Sequence, residues 1–126
     1  MRLVLDSGAF VALERDDRAM WRRLKAAALA GTPPVTHGGV VAQVWRGGAG
    51  RQVLLARALR VVETVPLDEE LGQQAGMLLA RSGLSDAIDA AVCVLADHGD
   101  QILTSDVRDL GALVDASGRR VDVVAT

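Results

Sequence analysis

The chain reads as an α/β protein in which helices cover both faces of a short, mostly parallel sheet, giving three α/β/α layers. Three observations predict this. Short aliphatic runs recur at residues 3–5, 35–36, 61–65, 101–104 and 121–124, each bounded by Gly, Pro, Asp or Ser. Segments with apolar residues at helical spacing lie between them. Strands alternating with helices build parallel sheets, because a parallel connection needs a crossover and a helix supplies it.

The elements follow in order. Leu3-Val4-Leu5 is a buried strand stopped by Asp6-Ser7-Gly8, and a helix runs over residues 9–14. Arg15-Asp16-Asp17 turns the chain into a second helix, marked by Met20, Leu24, Ala27 and Ala28, which Gly31 and Pro33-Pro34 end. After the weak strand Val35-Thr36, Gly38-Gly39 opens a helix through Val40, Val41, Val44 and Trp45. Gly47-Gly48-Ala49-Gly50 is the segment expected to be most flexible. A helix over 52–59 leads to a strand over 61–65 that Pro66 closes. Leu71, Ala75, Leu78 and Leu79 mark an amphipathic helix ending near Ser82-Gly83, and Ser85 is the expected N-cap of the next, which turns Ile88, Val92 and Leu95 inward. His98-Gly99-Asp100 ends that helix, and a buried strand at 101–104, a helix at 107–114 and a strand at 121–124 complete the chain.

At 126 residues the length fits one domain, 1–126. Half the residues are hydrophobic but only Phe10, Trp21 and Trp45 are aromatic, so the core is aliphatic and no base-stacking platform is built. The formal charge of −2 excludes the broad basic footprint of a dedicated nucleic-acid binder. Arg46, Arg51, Arg57 and Arg60 nevertheless cluster locally. Cys93 is the only cysteine, which excludes an intrachain disulfide and a cysteine-based zinc site. The N-terminal apolar stretch is too short for a signal peptide and no window approaches the 18 or so apolar residues of a membrane helix, so a cytoplasmic protein with no membrane association is expected.

The chemistry points to aspartates. Asp6 and Asp106 both follow strands, and ligands of open α/β sheets bind outside the carboxyl ends of strands. Asp86 and Asp89 sit three apart on one helix face. Two carboxylates about 4 Å apart repel by roughly 4 kcal/mol at an effective dielectric near 20, so folding alone gives little reason to gather them. A hard divalent cation such as Mg²⁺ or Mn²⁺, which takes oxygen ligands, does. Each acid also has an ordinary alternative: Asp6 and Asp106 as helix N-caps, Asp86 as a first-turn acid favoured by the helix dipole, Asp109 as a surface residue rather than a supporting acid. His37 and His98 lack partners at ligand spacing and read as solvated or hydrogen-bonded side chains.

Four stretches together resemble the PIN-domain ribonucleases, in particular the VapC-type toxins of bacterial toxin–antitoxin pairs. They are Leu3-Val4-Leu5-Asp6-Ser7-Gly8-Ala9, Val40-Val41-Ala42-Gln43-Val44-Trp45-Arg46-Gly47-Gly48, Ser85-Asp86-Ala87-Ile88-Asp89-Ala90 and Leu103-Thr104-Ser105-Asp106. The resemblance implies a PIN-like α/β/α fold, Mg²⁺ or Mn²⁺ as cofactor, hydrolysis of RNA phosphodiesters, a cognate antitoxin as partner and a homodimer. It carries Asp6, Asp89 and Asp106 onto the family's acidic positions as catalytic metal ligands, with Asp86 an adjacent acid. Thr104 and Ser105 fall on the hydroxyl residues that orient the last acid.

One position departs. Where the family usually has a glutamate, this chain has Gln43, which either coordinates through its carbonyl oxygen or marks weakened metal binding. The second reading keeps open a PIN-like module that binds RNA or an antitoxin without cutting. Arg46 and Arg51, beside the glycine-rich segment, either hold RNA phosphates through bidentate contacts or are solvated loop charges. A phospho-accepting receiver ranks last, because its late-strand lysine is missing and the only lysine is Lys25 on an early helix.

Overall fold

The computed structural model describes residues 1–47 and 50–126. Among these residues are five strands, β1 (Leu3–Leu5), β2 (Val35–His37), β3 (Glu63–Val65), β4 (Gln101–Thr104) and β5 (Asp122–Ala125). Seven helices connect them: α1 (Ser7–Glu14), α2 (Arg18–Leu29), α3 (Gly38–Val44), α4 (Val53–Leu59), α5 (Glu69–Ser82), α6 (Ala87–Leu95) and α7 (Val107–Ser117). The sheet runs β3-β2-β1-β4-β5 and every pairing is parallel. The expected α/β class is therefore observed, with a sheet that is wholly rather than mostly parallel.

β1 lies at the centre because it can be buried on both faces: Leu3, Val4 and Leu5 are all inside. Its register pairs Leu3, Val4 and Leu5 with Gln101, Ile102 and Leu103, so β1 and β4 end side by side. One layer is α1 with α2, α3 and α4 against it, and α5, α6 and α7 pack together as the other. Phe10, Leu13, Leu55, Leu78, Ile102 and Leu110 anchor the aliphatic core, each fully buried. A buried side chain of this size contributes about 1.5–3 kcal/mol.

The chain leaves β1 for β2 and β3 on one side, then returns to β4 and β5 on the other. The strand order thus reverses between β1 and β4, and at such a switch point the flanking loops part and open a crevice at the carboxyl edge. Asp6 and Asp106 stand at that edge.

Several boundaries move. Hydrogen bonds begin α1 at Ser7, because Asp6 caps it, and carry α7 to Ser117, where Gly118 at φ 71° closes it. Val61 and Val62 turn ahead of β3, and β5 shifts one residue along. Gly48 and Ala49 of the expected flexible segment lie outside the described residues. No helix among the described residues is long and apolar enough to cross a membrane.

Candidate metal centre

Three helices point their N-termini at the carboxyl edge, each capped by an aspartate. The Asp6 carboxylate accepts from the Gly8 amide at 2.8 Å, that of Asp86 from Ile88 and Asp89 at 2.9 and 3.0 Å, and that of Asp106 from Asp109 at 3.1 Å. The capping alternative therefore holds for Asp6 and Asp106, and Asp86, expected as a first-turn acid, is a cap as well. Asp86, not the expected Ser85, caps α6: Asp86 has extended backbone and reaches two of the orphan amides of the first turn, leaving Ser85 exposed outside the helix.

Asp-x-x-Asp opens both α6 and α7, at 86–89 and 106–109, while its third occurrence, 97–100, lies at the other end of the sheet. In each of the first two pairs the first acid accepts from the backbone amide of the second. Across the two helix starts, Asp89, Asp106 and Asp109 bring carboxylate oxygens within 4.8 Å of one another. Asp109 thus lies half-buried inside the cluster, in contrast to the surface role expected for it. Among the described residues the ion pairs are Arg2 with Glu63 and Arg119 with Asp97, and none reaches these acids. The positive ends of α6 and α7 give only partial compensation.

Electrostatics records the strain of this grouping. The Asp89 carboxyl is pushed up to about 7, first by burial and then by the charges of Asp86, Asp6, Asp106 and Asp109. Asp6, 4% exposed, is also raised, chiefly by burial, against the pull of hydrogen bonds from Thr104, Gly8 and Ala9. Asp6 stands beside the three clustered acids: its Oδ1 is held by Gly8 and its Oδ2 by the Thr104 hydroxyl. Buried Thr104 also accepts from the Asp106 amide at 2.8 Å, so one hydroxyl ties the ends of β1 and β4 together.

The turns carrying Asp6 and Asp106 pack closely. A Cβ on Gly8 would lie 2.5 Å from the Ser105 hydroxyl and 2.7 Å from its amide nitrogen, so only glycine fits there. Exposed Ser105 acts here through packing. A cleft of about 150 Å³ opens in front of the acids, lined by Ser85, Asp86, Asp89, Asp109 and Leu113 among others.

Gln43 is exposed on α3. The Arg46 guanidinium donates to the carbonyls of Ala42 and Trp45, closing the end of α3, while Arg51 is exposed just before α4. No hydrogen bond or ion pair among the described residues joins Gln43, Arg46 or Arg51 to the acids.

Two residues that the sequence does not advertise hold the surroundings in place. His37, fully buried, accepts from the Gly39 amide through Nδ1, which leaves Nε2 to donate to the Ile88 carbonyl at 3.0 Å. It thereby fixes the start of α6, and burial lowers its pKa, which favours this neutral form. Gln52 accepts from the amides of Arg46 and Gly47 and donates to Val44 and to Glu14 of α1. The partners of both residues include groups 38 to 51 positions away, so no local pattern marks them.

A larger cavity of about 650 Å³ lies at the opposite end of the sheet, lined by His98, Asp100, Arg119, Arg120 and Asp122 among others. Three of its polar side chains are committed to the fold. Asp100 accepts from the amides of Arg2 and Asp97, Arg119 donates to the carbonyls of Val94 and Ala96, and His98 accepts from the Arg120 amide.

The donor set suits a hard divalent cation: carboxylate oxygens converge with no ion pair to a basic side chain among the described residues, in a cleft with room for water. No protein-family model matches the chain, and no curated protein matches it. The fold and the acid cluster therefore carry the functional argument.

Proposed function

We propose that the protein is a Mg²⁺- or Mn²⁺-dependent endoribonuclease of the PIN type, working in the cytoplasm as a homodimeric toxin restrained by a cognate antitoxin. The observation that carries the metal and hydrolase part is the convergence of Asp89, Asp106 and Asp109, with Asp6 alongside, at the switch point of a parallel sheet. The toxin, antitoxin and dimer rest on the sequence resemblance alone.

Asp89, Asp106 and Asp109 would hold the cation, and Asp6 would join them through an oxygen's remaining lone pair or through water. When bound, such an ion supplies Lewis acidity and an activated water for attack on phosphorus. The chain's own contributions are positional. Thr104 orients Asp6 and fixes the Asp106 backbone, while Asp86 holds the first turn of α6 so that Asp89 faces α7. Gly8 and Ser105 keep the two strand ends in register. The Asp89 carboxyl, pushed up to about 7, would have to lose its proton to hold a cation.

Cleavage of RNA by the purified protein, with and without Mn²⁺ and alongside Asp106→Ala, tests the reading. Manganese-dependent cleavage that the substitution abolishes supports it, and equal cleavage by the variant refutes it. RNA binding without cleavage in excess Mn²⁺ selects instead the non-cutting module that an uncharged Gln43 keeps in view.

A further inference from the structure

A groove of about 420 Å³ runs along α1. Ser7, Gly8 and Ser105 form its inner end, and these residues directly adjoin Asp6 and Asp106. Val11 forms its floor, and Arg15 and Asp17 stand at its outer end. Asp17 spends one oxygen capping α2 at the Met20 amide, whereas exposed Arg15 has no ion-pair partner among the described residues. Acids line the small cleft with no base among them, while the groove offers the Ser7, Ser105 and Thr126 hydroxyls and the Arg15 guanidinium, with one acid, Asp17, at its outer end. The charged groups of the small cleft are all acids, whereas the groove brings one guanidinium to a surface that adjoins Asp6 and Asp106.

We propose that this groove is the track for the single-stranded RNA flanking the cut, with Arg15 holding a backbone phosphate through its guanidinium fork. The inference rests on the endoribonuclease reading and gives that site an extended substrate. From Ser7 to Arg15 the helix rises about 12 Å at roughly 1.5 Å per residue. A stacked strand advances about 3.4 Å per nucleotide, so the phosphate at Arg15 lies about three to four nucleotides from the acids. The apolar floor at Val11 accepts the sugar and base edges of the intervening nucleotides.

The test measures binding of fluorescent single-stranded RNA in an Asp106→Asn background, which keeps a capping side chain while suppressing cleavage, with Mn²⁺ present and with Arg15 or Arg15→Gln. A 12-nucleotide strand is compared with a 4-nucleotide strand over a range of salt. Loss of one phosphate contact makes the salt slope for the longer strand shallower by about 0.7. It also lowers that strand's affinity by up to about fivefold, the upper end for an exposed ion pair, and narrows its advantage over the short strand. A merely structural role for Arg15 leaves the slope where it was. An unchanged slope, or no measurable binding of the longer strand, overturns the proposal. Failure of the endoribonuclease reading shows separately, as absence of cleavage by the unsubstituted protein.

Discussion

Asp89→Asn stabilises the metal-free protein at neutral and alkaline pH while removing its response to metal. Burial and four neighbouring acids push the Asp89 carboxyl up to about 7 from an ordinary value of 3.8. At 1.36 kcal/mol per pH unit, ionising Asp89 in a fully shielded site costs roughly 4 kcal/mol. Asp89 is only partly buried, and solvent screening reduces this to about 1–2 kcal/mol. A carboxyl raised in the folded state contributes stability that is complete below the unfolded value and fades as pH climbs through the folded one. The unsubstituted protein thus loses stability on account of Asp89 between about pH 4 and 7, and the asparagine variant does not. Urea denaturation in EDTA at several pH values measures this as the difference between the two proteins, so titrations common to both cancel. The difference grows in favour of the variant across that window and levels off above pH 7. With Mn²⁺ at about a hundred times its dissociation constant, the unsubstituted protein gains about 2.7 kcal/mol at pH 8 and the variant gains little. A difference that stays flat with pH refutes the electrostatic account of the cluster.

Gly8→Ala forces a methyl group into the Ser105 backbone; we expect a loss of about 1–3 kcal/mol by thermal or urea unfolding, with weaker Mn²⁺ binding because the ends of β1 and β4 separate. Thr104→Val preserves shape but strips a hydrogen bond from buried Asp6 and from the Asp106 amide, costing about 1–3 kcal/mol in denaturation and lowering Mn²⁺ affinity in a calorimetric titration. His37, whose pKa burial lowers, contributes stability that is complete above about pH 6.5 and is lost as pH falls toward its folded value. His37→Ala cuts the clip to Ile88, lowers stability by about 1–3 kcal/mol at pH 7.5, and shows a smaller deficit at acidic pH. Gln52→Ala frees the amides of Arg46 and Gly47 and raises their hydrogen-exchange rates, while the α7 amides are unaffected.

The sequence announced the elements more clearly than their meeting. Leu3-Val4-Leu5 and Ile102-Leu103-Thr104 read as buried strands because an uninterrupted aliphatic run bounded by Asp and Ser has few other homes. Asp6 and Asp106 were legible as strand-end acids for the same reason. The pairing of β1 with β4 was not, since strand order is set by crossovers about a hundred residues long and leaves no local trace. Asp109 reads as a surface residue for the same reason: its neighbour in the cluster, Asp89, sits on another helix, and only packing of α6 against α7 brings them together. The choice of Asp86 over Ser85 as the α6 cap turned on a single residue's backbone angle, the least legible feature of any helix. His37 and Gln52 gave no signal because their work lies in reaching distant carbonyls and amides.

The most direct test of the central claim is a crystal of the protein soaked in Mn²⁺ and measured at the manganese absorption edge. An anomalous peak bounded by the Asp89, Asp106 and Asp109 carboxylates, lost in Asp89→Asn, is the predicted result. A well-ordered site with no peak among those three side chains contradicts the account.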